Sequence, residues 1–275
     1  MIQDIGEGVF SNVFSLATAK EDDFLFCYCG GDILLKESNG DYELPLVSDL
    51  KPKCHHMFSL DGKGCYISEE IIHAPAGFTY VNARSLMFNK NNKLAFSVCT
   101  GLQLYRWEQS RKFCGCCGTP TERSKTERAM VCPKCGQIEY PKICPATITA
   151  ITHKGRLLMV RNKTSPQGRY GLVAGFCEIG ETFEDTVRRE AMEEVGIKVK
   201  NVTYYKNQPW GITDSQMIGY FAELDGEDDD TLSIQEDEIA DARWFAPEEV
   251  TKPTNDASVF SELVWIFLNE NGIQK

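Results

Sequence analysis

Hydrophobic and polar positions along the chain change period twice. From Ala146 to Ile151 apolar residues alternate with Thr147 and Thr149, a turn follows at His153-Lys154-Gly155, and Arg156 to Val160 resumes an apolar run. That pattern predicts a β-hairpin. Further on, Phe183, Val187 and Ala191 recur every four residues. Thr182 with Asp185 resembles a capping box and Gly196 offers a left-handed stop, so a helix is expected over about 183–195. Strands at 197–206 and 216–224 and a last apolar helix near 258–270 complete an α+β domain over 144–275. Residues 1–108 differ: short apolar runs are separated by turn-like spacers, Ser38-Asn39-Gly40-Asp41 and Asp61-Gly62-Lys63-Gly64. They read as a β-rich domain without a chemical motif. Between the two, residues 109–143 are rich in Cys, Gly and Pro and too poor in apolar residues to build a core of their own. No internal repeat is visible, and the acidic run Asp225–Asp230 reads as a solvated hairpin loop.

Composition narrows the function. The 275 residues are 42% hydrophobic and 25% charged, ordinary for a globular chain. No apolar run approaches the ~20 residues of a membrane span. The N-terminus has no basic stretch leading into an apolar one, so no signal peptide is expected and the cytoplasm is the default location. A net charge of −11 argues against long-footprint binding to duplex nucleic acid, which needs many Lys and Arg contacts to phosphate. It leaves room for a small anionic substrate bound through divalent metal. One basic island interrupts the acidity: seven Lys/Arg against three Glu between Arg111 and Lys142.

That island also holds a metal pattern. The chain has 12 cysteines, and in a cytosolic setting paired cysteines more often mean metal than disulfide. Cys114 with Cys117 and Cys132 with Cys135 form two Cys-x-x-Cys knuckles, each followed by a glycine (Gly118, Gly136). Four thiolates close a tetrahedral shell, which implies a structural Zn2+. Cys116 is then surplus and Cys144 lies outside the pattern. Cys27, Cys29, Cys54, Cys65 and Cys99 are irregularly spaced and read as ordinary thiols.

The 183–195 helix carries the chemistry. Glu190, Glu193 and Glu194 stand at i, i+3 and i+4, so their carboxylates project from one side, overlapping the edge of the apolar stripe. A surface helix laced with ion pairs would place Lys or Arg four residues from each glutamate; Lys198 stands so to Glu194 but lies beyond the stop glycine, and Glu190 faces Glu194 within the helix. Like charges at Glu190 and Glu194 repel, and hard divalent cations with oxygen ligands relieve them.

Gly175, Glu181, Arg189, Glu190, Glu193, Glu194 and Gly196 occupy every fixed position of the Nudix signature, with Ala191 and Ile197 in its apolar slots, so the segment is identified as a Nudix box. The resemblance implies an α/β/α sandwich with a mixed sheet. It implies catalytic Mg2+ or Mn2+ held by Glu190, Glu193 and Glu194, with Arg189 orienting the glutamates. The four-cysteine ribbon just upstream, the segment Ser124–Cys132 and the pair Tyr140-Pro141 are similar to the NADH pyrophosphatase (NAD diphosphatase) family. Downstream, Asn207-Gln208-Pro209-Trp210-Gly211-Ile212-Thr213-Asp214-Ser215 resembles that family's Ser-Gln-Pro-Trp-Pro-Phe-Pro-x-Ser. Gln208, Pro209, Trp210 and Ser215 match, while Asn207, Gly211, Ile212 and Thr213 depart. By this resemblance Phe176, Gln208, Pro209, Trp210, Ser215, Tyr140 and Glu127 touch substrate. Glu238, and Ala174 through its backbone, join the metal site. The expected reaction is hydrolysis of NAD(H) to nicotinamide mononucleotide and AMP by metal-activated water. ADP-ribose, another dinucleotide and the 5′ NAD cap of an RNA are alternative substrates. The family also implies a homodimer.

Overall fold

The structure, a computed structural model, describes residues 1–7, 9–38, 40–165, 169–226 and 230–275. The spacer at 38–41 and the acidic run at 225–230 each include residues outside that set. The chain forms two compact units: Met1, Cys144–Pro209 and Ser215–Lys275 in one, Ile2–Ile143 with Trp210–Asp214 in the other.

The N-terminal unit begins with β1 (Phe10–Ser11), β2 (Phe24–Phe26), β3 (Tyr28–Cys29), β4 (Asp32–Ser38) and β5 (Asp41–Glu43). A short helix α1 (Val47–Leu50) precedes β6 (Cys54–Leu60), β7 (Lys63–Ser68) and β8 (Phe78–Asn82). They make two sheets, one ordered β1-β6-β7-β2, the other β3-β4-β5 with β8 also on β4. The β-rich reading of this region lacks one large element, the 19-residue helix α2 (Asn92–Ser110), which also runs past residue 108. Leu94 to Cys99 are all buried, so its first turns show no polar face and give no helical stripe in the sequence. The Asn91 side chain caps it, accepting from the Leu94 N–H. The thiols here are free; Cys27, Cys65 and Cys99 are buried, and burial raises all three, Cys27 and Cys99 to about 12. After α2 come the two-residue strands β9 (Glu122–Arg123), β10 (Met130–Val131) and β11 (Ile138–Glu139), paired in the order β11-β10-β9.

The other unit is built on β12 (Cys144–His153), β13 (Arg156–Asn162), β14 (Val173–Phe176), β15 (Val199–Trp210), β16 (Ser215–Leu224) and β17 (Ile239–Phe245). Their order is β15-β16-β12-β13-β17, with β14 also on β12. The sheet is mixed: β12 runs parallel to β16 and antiparallel to β13 and β14. The β12–β13 turn forms at Lys154-Gly155, both at positive φ (48° and 72°), as tight hairpins require.

Two helices cover the two faces, α3 (Phe183–Val195) and α4 (Val259–Glu270). The near-continuous apolar run of β13 follows directly, because successive side chains enter different cores. Leu158 and Val160 pack with Val187, Ala191 and Val195 of α3; Leu157 and Met159 pack with Leu263, Val264, Phe267 and Leu268 of α4. Burying Val187 and Val195 contributes roughly 1.5–3 kcal/mol each. This is the expected α/β/α sandwich with a mixed sheet. One detail differs: Phe183, expected on the apolar stripe, is exposed, and Thr186 and Glu194 lie on the buried face instead.

Candidate active site and metal centres

The ribbon cysteines meet. Cys114 and Cys135 Sγ are 3.5 Å apart, as are Cys117 and Cys132, and Cys117 is 3.7 Å from Cys135. A tetrahedron with Zn–S bonds of about 2.3 Å has S–S edges of roughly 3.8 Å, so the set fits zinc. Each knuckle turns back-bone donors onto its first sulfur: Cys116 N–H to Cys114 Sγ and Cys135 N–H to Cys132 Sγ. Gly118 and Gly136 close the turns at φ 71° and 75°. Contact with Thr119, first through its hydroxyl, brings the Cys117 thiol down to about 6, toward the thiolate a metal requires. The surplus Cys116 is exposed, near Gln137.

The second centre lies on α3. Thr182 caps the helix by accepting from the Asp185 N–H at 3.1 Å, and Gly196 ends it at φ 72°. The capping box is half-formed: the Asp185 carboxylate takes the Thr182 hydroxyl, not its backbone N–H. The three glutamates differ sharply in environment. The Glu193 side chain is 52% exposed, Glu190 is half-buried, and Glu194 is 4% exposed. Arg189 ties the first turns of the helix to the preceding loop. Its Nε and one Nη donate to both oxygens of Glu181, at 2.6 and 3.0 Å. The same side chain donates to Glu190 (2.7 Å), Glu193 (2.9 Å) and the Phe176 carbonyl (2.8 Å). These bonds hold the Glu181 carboxyl down at about 2 and raise Arg189 above its ordinary value. Glu181 therefore anchors the arginine.

Glu194 is the unusual group. Burial, then the neighbouring charge of Glu190, pushes its carboxyl up to about 8; a backbone hydrogen bond from Ala174 opposes this and Glu238 adds to it. Its Oε2 is buried without a hydrogen-bond partner. Such an oxygen costs about 1–3 kcal/mol unless something satisfies it. Burial also raises Glu190. Gly175 lets β14 approach: a Cβ there would lie 1.9 Å from the Glu190 carboxylate. Buried, mutually repelling oxygens with one lone pair unmet fit a hard divalent cation. Among the described residues the four cysteines are the one set of three or more Asp, Glu, His or Cys ligand atoms all within 4.8 Å of one another.

A Nudix domain model matches residues 144–263, and an NADH pyrophosphatase zinc ribbon model matches residues 109–140. The chain is 38% identical over 194 residues to a protein of Pasteurella multocida (strain Pm70) named NAD-capped RNA hydrolase NudC, covering 68% of this chain and 69% of that one. The chain belongs to the zinc-ribbon Nudix hydrolases. A protein of the same name from Haemophilus influenzae (strain PittEE) is 38% identical over 170 residues, covering 61% of this chain and 63% of its own length. A Nudix hydrolase from Nitrosomonas europaea matches 59% of this chain and 94% of its own at 21% identity and a TM-score of 0.49. No described helix is long and apolar enough to cross a membrane.

The remaining expected positions of this Nudix chain divide. Ala174 lies on β14, its N–H on Glu194. Glu238, exposed, directly precedes β17. Phe176 is 55% exposed, with its ring free of the cores described. Gln208 has a structural place. It is fully buried, its Nε2 donates to the Ala257 carbonyl and its Oε1 accepts from the Val259 N–H, so it holds the start of α4. Ser215 is likewise buried, at the first residue of β16, opposite Cys144. Pro209 and Trp210 are half-buried. In the N-terminal unit Tyr140 is exposed and its hydroxyl hydrogen-bonds Glu127, which raises the phenol. Glu127 also lines a cavity of about 500 Å³ with Trp107, His56, Arg123 and Arg128.

Proposed function

We propose that this enzyme hydrolyses the diphosphate of NAD(H), releasing nicotinamide mononucleotide and AMP. The observation that carries the reading is the Glu194 carboxylate, buried, raised to about 8 and short of one hydrogen-bond partner beside Glu190. Glu190, Glu193, Glu194 and Glu238, with the Ala174 backbone, would hold Mg2+ or Mn2+. When bound, such ions acidify water and neutralise charge developing on phosphoryl oxygens. In the reaction a new P–O bond forms from water, the bridging P–O bond breaks, and its oxygen leaves on the other nucleotide. Arg189 keeps Glu190 and Glu193 oriented through the bonds described. Phe176 offers an exposed ring to a base, and Trp210 a second aromatic face. Tyr140, Glu127 and Pro209 are carried as substrate neighbours by the family resemblance.

Removal of the NAD cap from RNA is the second reading. The names of the relatives and the basic island between Arg111 and Lys142 favour it. A homodimer and a cytoplasmic location complete the proposal; the first rests on resemblance, the second on the sequence alone. The test is incubation of purified protein with Mg2+ or Mn2+ and NADH, ADP-ribose or a short 5′-NAD RNA. AMP released from NADH supports the first reading. Turnover of ADP-ribose with NADH untouched overturns it, and turnover of capped RNA alone selects the second.

A further inference from the structure

The segment after Trp210 is held by a side chain more than a hundred positions away. Arg106, in the later part of α2, donates through Nη1 to the Ile212 carbonyl at 3.0 Å. Its Nη2 donates to the Gly211 carbonyl and to Asp214 Oδ1, the latter at 2.5 Å. One guanidinium thus grips three of the four residues that follow Trp210. Arginine suits this, because its planar fork presents several donors in a fixed geometry. The backbone of α2 makes the second contact: a Cβ on Gly211 would lie 2.3 Å from the Cys99 carbonyl oxygen, so the loop seats on the helix only with glycine there. Asp214 itself sits at φ 58°, in the left-handed region.

Gly211 is the freest point of this segment's backbone. Proline would preset φ, as in the motif this segment resembles, whereas glycine leaves the backbone its widest freedom. A β-carbon at 211 is also barred by the Cys99 carbonyl, so in this chain the glycine and the arginine form one device. We propose that Arg106 is a positioning residue that clamps Trp210–Asp214 onto α2 and thereby fixes the Trp210 ring against which a nucleobase stacks. This deepens the proposed dinucleotide hydrolysis and rests on it for the role of Trp210. Arg106 touches no reacting atom. It acts on substrate affinity, leaving the chemical step to the α3 glutamates.

The test combines hydrogen exchange with a double-mutant cycle on NADH hydrolysis. Arg106→Met is expected to speed amide exchange of residues 211–214 and to raise KM about tenfold, the scale of one lost base–aromatic stack, with kcat within about threefold. In a Trp210→Ala background the same change should add nothing further to KM, because its effect runs through the ring. Asp214→Asn, which removes only the charged partner, gives a milder form of both effects and serves if Arg106→Met does not fold. Unchanged exchange at 211–214 overturns the clamp. Faster exchange with KM effects that add independently overturns the positioning role and leaves Arg106 as structural glue. If Trp210→Ala alone leaves KM unchanged, the stacking role of Trp210 fails, and the exchange data still report separately whether the clamp exists.

Discussion

Metal binding to this protein should release a proton at neutral pH, and Glu194 should supply it. Its carboxyl titrates at about 8 in the metal-free structure, so about 0.9 of the molecules carry that proton at pH 7, half at pH 8 and about 0.1 at pH 9. A cation binds the carboxylate and displaces the proton. Calorimetric Mg2+ titrations in two buffers of different ionisation enthalpy should therefore report about 0.9 proton released at pH 7 and about 0.1 at pH 9, with apparent affinity rising roughly tenfold between them. The same shift acts on stability. A raised carboxyl favours the fold most below its ordinary value of 4.5, and in the metal-free protein that contribution is lost as pH rises toward 8. The loss is roughly 5 kcal/mol in all, and metal should offset it. Glu194→Gln removes the titrating group and should abolish both proton release and the pH dependence of affinity. Proton release below about 0.2 at pH 7 in the wild type, or affinity flat from pH 7 to pH 9, refutes the argument from burial.

Three further substitutions separate chemistry from scaffold. Gly175→Ala forces a methyl onto the Glu190 carboxylate, so kcat should fall at least about a hundredfold while melting shifts little; near-normal turnover in a kinetic assay contradicts the close approach. Gln208→Ala leaves the first turn of α4 without two hydrogen bonds, and denaturant unfolding should show a loss of about 1–3 kcal/mol with KM unchanged; a raised KM at unchanged stability would restore Gln208 as a substrate contact. Cys117→Ser opens the thiolate shell, and metal analysis should find zinc lost and the melting temperature lowered, whereas full zinc content contradicts the four-cysteine assignment.

How much the sequence discloses depends on how local each signal is. The α3 helix is legible because Thr182, the Val187–Ala191 spacing and Gly196 lie within fifteen positions and agree, although Phe183, the other member of the expected stripe, is exposed. The ribbon is legible because thiol spacing alone constrains the metal geometry. By contrast α2 is buried almost all round at its start and carries Gly101, whose Cβ would meet the Tyr28 hydroxyl at 2.6 Å, so packing overrides both stripe and propensity. The Asn91 cap is a local signal at its start. Glutamate spacing indicates a shared side of the helix, yet not that Glu194 is buried and Glu193 exposed, because that depends on β14 and β12 packing above them. Gln208 illustrates the limit of motif transfer: it matches the pattern while its amide is spent on α4. Arg106 has no local signature at all, since its partners lie 105–108 positions downstream.

Crystals soaked with Mn2+ and a non-hydrolysable dinucleotide, measured at the manganese absorption edge, probe the core of the account. Anomalous peaks beside the Glu190 and Glu194 carboxylates, bridging to diphosphate oxygens, are the predicted result. Ordered nucleotide with no such peak on α3 contradicts it.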